Sequence, residues 1–136
     1  MSALTADRNT PRREGEKRVI PVAAATVIYA GALVAINAAG DAVSFSSATG
    51  LKTGGRAERR ADNSAGVAGE ISVEVSAGIF RFANSSAADL ITRADIGADC
   101  YGVDDQTVAK TSGSNTRSIA GKVFDVDAQG VWVKIS

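Results

Sequence analysis

RSIAGKVFDVDAQGVWVKI, the sequence of residues 117–135, consists of two β-prone runs on either side of a short polar loop that ends at Gly130. This pattern predicts a β-hairpin, because glycine readily takes the positive φ that tight turns require. In the second run, aliphatic residues alternate with aromatic or charged ones, so one face of the strand is apolar. That face carries Val131, Val133 and Ile135.

The first run of this segment is less regular than the second. Phe124 and Val126 are predicted to share a face, whereas Ile119 is out of phase with them. Gly121 lies between these positions, and a glycine inside a strand pattern is typical of a β-bulge. We therefore expect the strand to change phase near Gly121.

Short apolar runs recur along the chain at intervals of about ten residues, as in β-sandwiches and barrels. Residues 70–76 alternate most clearly, and together with residues 78–82 they predict a second hairpin. The pattern predicts an all-β fold of about nine or ten short strands, either a small jelly-roll-like barrel or a sandwich. The predicted core contains Val34, Ile36, Ile71, Val73, Val75, Phe80, Phe82, Val123, Val131 and Val133.

The sequence also predicts the secondary structure of two further segments, residues 86–97 and residues 56–60. Residues 86–89, SAAD, resemble a capping box, so residues 86–97 are predicted to form at most one short helix. Residues 56–60, RAERR, are predicted to form a polar strand in which Arg56 and Arg60 share a face with Glu58.

The chain is predicted to have two parts. Residues 1–18 are rich in charge and nearly free of apolar side chains, so they cannot bury enough surface to offset the entropy of ordering. We expect them to form a flexible, extended N-terminal arm. Residues 19–136 are expected to form a single β-domain, and no run of about 18 apolar residues predicts a membrane span.

The composition excludes most catalytic and metal chemistry. The chain has no histidine and a single cysteine, Cys100, so neither a His-based nucleophile system nor an ordinary zinc site can be assembled. We expect Cys100 to be a buried apolar residue, and the lack of a second cysteine fits a reducing compartment. No cofactor, metal or small-molecule substrate is predicted.

Two aspartate pairs are the remaining candidates for chemistry, Asp104 with Asp105 and Asp125 with Asp127. Either pair could supply oxygen ligands to a hard cation or serve a carboxylate-based hydrolase. Both pairs are next to predicted turns, where aspartate commonly bonds its own backbone. The turn interpretation is therefore favoured, and the hydrolase is kept as an alternative.

Charge is distributed unevenly along a chain that is neutral as a whole. Residues 1–60 contain nine Lys or Arg and five Asp or Glu, a balance of +4, whereas residues 61–136 contain six and ten, a balance of −4. Arginine is enriched at protein interfaces and binds carboxylates through two hydrogen bonds. We predict a protein interface, rather than a nucleic-acid one, at Arg8, Arg12, Arg13, Lys17, Arg18, Lys52, Arg56, Arg59 and Arg60. Ordinary solvated surface is the alternative for these residues.

Three stretches of the chain, in order, resemble the capsid cement or head decoration proteins of tailed phages. They are residues 55–64 (GRAERRADNS) with 66–75 (GVAGEISVEV), residues 78–84 (GIFRFAN) with 95–108 (DIGADCYGVDDQTV), and residues 119–123 (IAGKV) with 130–133 (GVWV). The resemblance covers about residues 26–136, and its specificity lies in the order and spacing of the stretches. The charged arm before Val19 is less typical of that family.

The resemblance implies a non-enzymatic structural protein of the virion. Such a protein is made in the host cytoplasm, binds the outer capsid surface and cements neighbouring subunits of the major capsid protein. Its other partners are further copies of itself, as a dimer or trimer on the shell. The alternatives are the aspartate-based hydrolase and another β-rich virion adaptor or tail component.

Overall fold

The computed structural model describes residues 2–136, and its secondary structure is almost entirely β, as predicted. Within these residues there are twelve strands and two short 3-10 turns, at Ala87–Asp89 and Arg93–Asp95. The strands are β1 (Lys17–Pro21), β2 (Thr26–Ile28), β3 (Leu33–Ile36), β4 (Ala42–Ser44), β5 (Lys52–Ala57), β6 (Ala61–Asn63), β7 (Ser72–Ser76), β8 (Gly78–Phe82), β9 (Asp99–Gly102), β10 (Val108–Ala109), β11 (Ile119–Asp127) and β12 (Gly130–Ile135).

The strands form two five-stranded sheets and one two-stranded sheet, all paired antiparallel. The central sheet has the order β1-β7-β5-β3-β4, and the outer sheet has the order β10-β9-β11-β12-β8. The small sheet pairs β2 with β6. The end strands of each large sheet are joined only by an isolated parallel bridge, Val22 with Ala42 in the central sheet and Ala83 with Thr107 in the outer sheet. The sandwich prediction is therefore confirmed, and no closed barrel forms.

The central sheet contributes to a hydrophobic core on each of its faces. Leu33 and Ala35 of β3 pack into one core with the outer sheet, whereas Val34 lies in a second core with the small sheet. Residues that alternate along a strand point to opposite faces, so β3 is buried on both sides. Each member of the predicted core is buried or packs, half-buried, against one of these two cores.

The predicted C-terminal hairpin is confirmed as β11 and β12, with Asp127 paired to Gly130. Gly130 has φ +153, and a Cβ there would overlap the carbonyl oxygen of Phe82 on β8, so only glycine fits. The predicted irregularity at Gly121 is confirmed as a register shift against β9. A second shift at Phe124 turns its side chain outward while Val126 packs on the core, so their predicted shared face is wrong.

The predicted hairpin of residues 70–82 does not form. β7 pairs with β1 and β5 in the central sheet, whereas β8 pairs with β12 in the outer sheet. Ala77 alone joins the two strands, and Gly78 takes φ +148, so the chain turns from one sheet into the other. One linking residue is too short for an ordinary hairpin loop, and each strand instead places its apolar face in a different core.

The prediction of at most one short helix in residues 86–97 holds, because this segment forms two 3-10 turns and no α-helix, but the capping box predicted at Ser86 is wrong. Ser86 makes no side-chain cap, and the two 3-10 turns are separated by an extended stretch in which Ile91 is buried. A capping box does occur, but at Thr92 and Asp95 on the second turn. Asn84 holds the intervening stretch by bonding both the N–H and the carbonyl of Ile91.

The boundary of the N-terminal arm lies slightly earlier than predicted. β1 begins at Lys17, and Glu16 already accepts a backbone hydrogen bond from Ala77. Lys17 and Arg18, which were assigned to the arm, are therefore part of the central sheet. Residues 2–16 contain no strand and are exposed throughout.

Candidate interaction surface

The nine predicted interface cations are all on the surface, but they do not form one patch. Eight are exposed and Arg56 is half-buried. They fall into an arm group, a group around β1 and β5, a single lysine at a cleft, and a pair beside an exposed tyrosine. The structure shows that these residues are at the surface, and their role in a protein interface stays a prediction.

Arg56 is tied to its own chain rather than free for a partner. It lies on β5 opposite Ser76 of β7, and its Nη2 donates to Glu58 Oε1 at 2.8 Å. Its guanidinium also lies over the ring of Phe80, 4.5 Å from the centroid. β5 ends at Ala57, so the polar strand predicted through Arg60 is interrupted.

Glu58 is the acceptor at the centre of this group. Its Oε1 also accepts a hydrogen bond from Ser76 Oγ, and its backbone N–H donates to the Glu74 carbonyl. The Ser76 hydroxyl and then the Arg56 guanidinium hold the pKa of Glu58 below its ordinary value, and the charge of Lys17 acts in the same direction. Arg56, Glu58 and Ser76 thus form a connected polar cluster at the junction of the two large sheets.

Arg18 on β1 has a second structural contact. Its Nη2 reaches the carbonyl oxygens of Thr53 at 3.4 Å and Gly54 at 3.2 Å on β5. Lys17 and Arg13 are exposed nearby, and both line a small depression with Arg18. This end of the central sheet is the place where the arm and the strand cations come together.

Lys52 lies at the other end of β5, beside a cleft of about 600 Å³ between the central and outer sheets. Tyr101 and Ile119, which pair across β9 and β11, also line the cleft, and Ile119 is 47% exposed. The lining contains no Asp or Glu; its members are Thr49, Gly50, Leu51, Lys52, Thr53, Tyr101, Ser112, Asn115, Arg117, Ser118 and Ile119. The cleft is therefore not an acidic pocket of the kind that a carboxylate-based hydrolase needs.

Arg59 and Arg60 lie in the bend between β5 and β6. Arg60 lies 5.2 Å from the ring centroid of Tyr29, whose side chain is 57% exposed. A guanidinium over an exposed ring stabilises the pair only modestly. Within the segment of residues 56–60, Arg59 and Arg60 are therefore the residues that remain accessible to a partner.

Three of the four aspartates of these pairs, Asp104, Asp125 and Asp127, are engaged in local structure through their carboxylates. Asp125 pairs with Arg93 at 3.1 Å, and Asp127 accepts from the Trp132 indole and the Gln129 N–H, both at 2.8 Å. The Trp132 and Gln129 hydrogen bonds hold the pKa of Asp127 below its ordinary value. Asp104 accepts from the N–H of Gln106, as expected for a turn.

Cys100 is fully buried on β9, and loss of solvation raises the pKa of its thiol to about 12. It is therefore an apolar core residue, as predicted. In residues 2–136, no group of three or more Cys, Asp or Glu is arranged to hold a metal ion. None of the helical segments in that range is long or apolar enough to cross a membrane.

Several exposed apolar side chains were missed by the sequence analysis. Val19 on β1 is 63% exposed, and Phe124 at the β11 bulge is 54% exposed. The sequence feature that could have indicated the exposure of Val19 is its position between the charged residues Lys17 and Arg18 and the proline Pro21. The exposure of Phe124 depends on the bulge, which the sequence suggested only at Gly121.

Comparisons of the chain with protein-family models, with curated proteins and with solved structures found no match.

Proposed function

We propose that this protein is a structural virion protein that binds the outer surface of a phage capsid and cements neighbouring subunits of the major capsid protein. The observation that supports the proposal most directly is the exposure of the N-terminal arm. Residues 2–16 are exposed throughout and leave a self-contained β-sandwich at the edge of its central sheet. The resemblance of residues 26–136 to capsid cement proteins supports the same role.

The dimensions of the arm suit a protein that bridges subunits. A domain of this size has a radius of gyration of about 14 Å, so its own footprint is about 35 Å across. Fifteen extended residues span at most about 50 Å. The arm can therefore contact a shell subunit beyond the one on which the domain lies.

The chemistry of the arm suits an acidic acceptor on the shell. Arg8, Arg12 and Arg13 are exposed, and guanidinium groups bind carboxylates through paired hydrogen bonds. Ordering the arm on binding costs entropy, so each contact is of modest affinity. Many copies on one shell act together, and modest affinity for each copy is then sufficient.

The engaged aspartates favour this proposal over the hydrolase. Asp125 and Asp127 are used by Arg93, Trp132 and turn amides, and the cleft at Lys52 has no carboxylate. A structural role needs no turnover and no converging acid and base. The free, buried thiol of Cys100 fits synthesis in the reducing host cytoplasm before binding to the particle.

The test is binding to capsid particles assembled without this protein. The full chain is compared with a chain that lacks residues 1–15 and with a triple variant, Arg8→Ala, Arg12→Ala and Arg13→Ala. We expect the full chain to saturate the shell and to raise its resistance to heat. We expect both altered chains to bind at least about tenfold more weakly while their thermal unfolding is unchanged, because residues 2–16 contribute no strand.

A matched control replaces the arm acids instead, with Asp7→Ala and Glu14→Ala. It should bind at least as well as the full chain if the acceptor on the shell is acidic. Absence of binding by the full chain would refute the capsid role. Electron cryo-microscopy that finds the protein only at one vertex or on the tail would favour the adaptor or tail alternative.

A further inference from the structure

The cleft beside Lys52 lies where β5 faces the outer sheet rather than β7. β7 pairs with β5 only at Arg56 and Ala57, the last two residues of β5. At the other end of β5, the Thr53 hydroxyl donates to the Ala120 carbonyl of β11 at 2.7 Å. The cleft of about 600 Å³ opens next to this contact, and its volume is within the range of roughly 300–1,000 Å³ that is typical of ligand sites.

The walls of the cleft are fixed by hydrogen bonds within the chain. Ser118, which is buried, donates from Oγ to the Ala48 carbonyl at 2.7 Å and accepts the Leu51 N–H at 3.1 Å. Together with the Thr53 contact, these bonds join β5 and the connection from β4 to the segment that begins β11. A site that is already formed loses less conformational entropy when a ligand binds.

Lys52 brings a positive charge to the cleft that no neighbouring acid neutralises. Its side chain is exposed, and it forms no salt bridge within the described part of the chain. The second cation of the lining, Arg117, is already paired with Asp89 at 3.2 Å. Asp99 of β9 is paired with Lys122 at 2.6 Å. A negative group on a ligand is therefore favourable beside Lys52.

Apolar side chains lie in the same cleft as this charge. Ile119 is 47% exposed, and it pairs across β9 and β11 with Tyr101, which is half-buried. Leu51, another member of the lining, is also half-buried. A free anion would leave these side chains in contact with water, whereas a ligand that carries an acid near an apolar group would cover them as well.

We propose that the cleft binds an extended peptide segment of a partner protein, in which a Glu or Asp pairs with Lys52 and an apolar side chain covers Ile119 and Tyr101. Alternate residues of an extended segment point to the same side, so the acid and the apolar residue are two positions apart. A single-stranded nucleic acid fits less well, because it needs several cations along a groove and several stacked aromatic rings. Among the described residues of the lining, Tyr101 is the one aromatic side chain.

This inference goes beyond the proposed function, which places the arm on the shell. It rests on that function only in the further step that the peptide segment belongs to the major capsid protein. The cleft would then add a second point of attachment to the arm, and two linked weak contacts give a much higher overall affinity than either one. Peptide binding by the isolated chain tests the cleft itself, and capsid binding tests the origin of the segment.

The experiment is titration of the full, isotopically labelled chain with the acetylated and amidated peptide GESLG, monitored by the NMR amide shifts of Lys52 and Ile119. The peptide GQSLG removes the charge, and GELSG keeps the composition but places the apolar residue next to the acid. Lys52→Gln and Ile119→Ser each change one exposed side chain of the cleft. Arg59→Gln is the matched control, because it removes an exposed cation that does not line the cleft.

We expect GESLG to bind with a dissociation constant of about 1 mM. Each change of the peptide or of the cleft should weaken binding by at least about threefold, the scale of one exposed ion pair or one small apolar contact. Lys52→Gln should bind GESLG and GQSLG equally, because the charge on the peptide then has no partner. Arg59→Gln should bind as the wild type does, and thermal unfolding of all three variants should be nearly unchanged.

Amide shifts that do not change at about 10 mM GESLG would overturn the proposal, and so would a wild type that binds GESLG and GQSLG equally. If a thymidine decanucleotide binds at the same amides and more tightly than GESLG, the cleft is a nucleic-acid surface and the peptide proposal is wrong. If GESLG binds as expected but no chain binds capsids, the cleft inference holds and the proposed function falls. If the full chain binds capsids and Lys52→Gln binds them equally well, the segment does not belong to the shell.

Discussion

Gly102 on β9 lies against the ring of Phe45, and the pair allows a sharp test of the packing between the two large sheets. A Cβ at position 102 would overlap Phe45 Cδ1 and Cε1, although the φ of Gly102 lies outside the left-handed region. The effect of Gly102→Ala is therefore steric rather than a matter of backbone strain. Phe45 is 2% exposed and belongs to the core shared with the outer sheet.

Each single substitution should be costly, but their combination should cost less than the sum. Gly102→Ala forces the ring to move, and overpacking of this kind costs about 1–3 kcal/mol. Phe45→Ala leaves a cavity at a fully buried position and should cost about 3–5 kcal/mol. In the double variant the new methyl group occupies part of that cavity, so we expect the cost to fall short of additivity by at least about 1 kcal/mol.

Guanidinium unfolding, followed by the fluorescence of the one tryptophan, Trp132, and by circular dichroism, measures these free energies. Gly15→Ala is the control for the substitution itself, because a Cβ at position 15 meets nothing within 4 Å. That control should be nearly neutral. Additive costs in the double variant, or a neutral Gly102→Ala, would show that the ring does not lie against Gly102.

The remaining predictions concern the second core, pH and the basic segment. Val73→Asp should lower the free energy of unfolding by more than about 3 kcal/mol, because it buries an unpaired charge at a side chain that is 2% exposed; a melt like that of the wild type would contradict this packing. Since the folded-state pKa of Glu58 lies below its ordinary value, its contribution to stability is complete above about pH 4.5 and is lost as the pH falls through the lowered value. Glu58→Gln should therefore lose less stability than the wild type between neutral pH and about pH 3 in urea titrations, and equal pH slopes would show that the Ser76 and Arg56 contacts are not formed in solution. Arg56→Glu should destabilise the fold, because it sets a carboxylate beside Glu58 and removes the contact with Phe80, whereas Arg59→Glu should change the unfolding free energy by no more than about 0.5 kcal/mol.

The parts of the fold that depend on local patterns were predictable from the sequence. The alternation at Val73 and Val75, and the hairpin that ends at Gly130, both reflect side-chain periodicity and turn chemistry within a few residues. The same local information predicted that Cys100 is buried. It also suggested the irregularity at Gly121, which the structure shows as a register shift.

The sequence predictions failed in segments whose structure depends on contacts with distant parts of the chain, such as the strand with which each one pairs. Periodicity shows that β7 and β8 are strands, but it does not show that each packs in a different core. The stretch around Ile91 has a helical pattern, yet its two hydrogen bonds with the Asn84 side chain, one accepted and one donated by the Ile91 backbone, hold it extended. Tertiary contacts outweigh local propensity in such segments.

For the candidate interaction surface, the sequence predicted which charged residues are present but not which contacts they make. Counting charges identified the cations of residues 1–60, but the ion pair of Arg56 and the carbonyl contacts of Arg18 depend on residues brought together by the central sheet. The exposure of Val19 on β1 depends on strand order, which no local pattern reveals. The sequence thus predicted which charged side chains are present, whereas the fold determines which of them make contacts within the chain.

The burial of β3 on both faces affects how the molecule unfolds. This four-residue strand supplies side chains to both cores, and it pairs with β4 and β5 in the sheet between them. Neither core can lose its contacts with β3 without exposing apolar surface in the other. The two cores therefore behave as one cooperative unit, so the amides of the outer and small sheets should become exchangeable through the same global opening rather than through separate local ones.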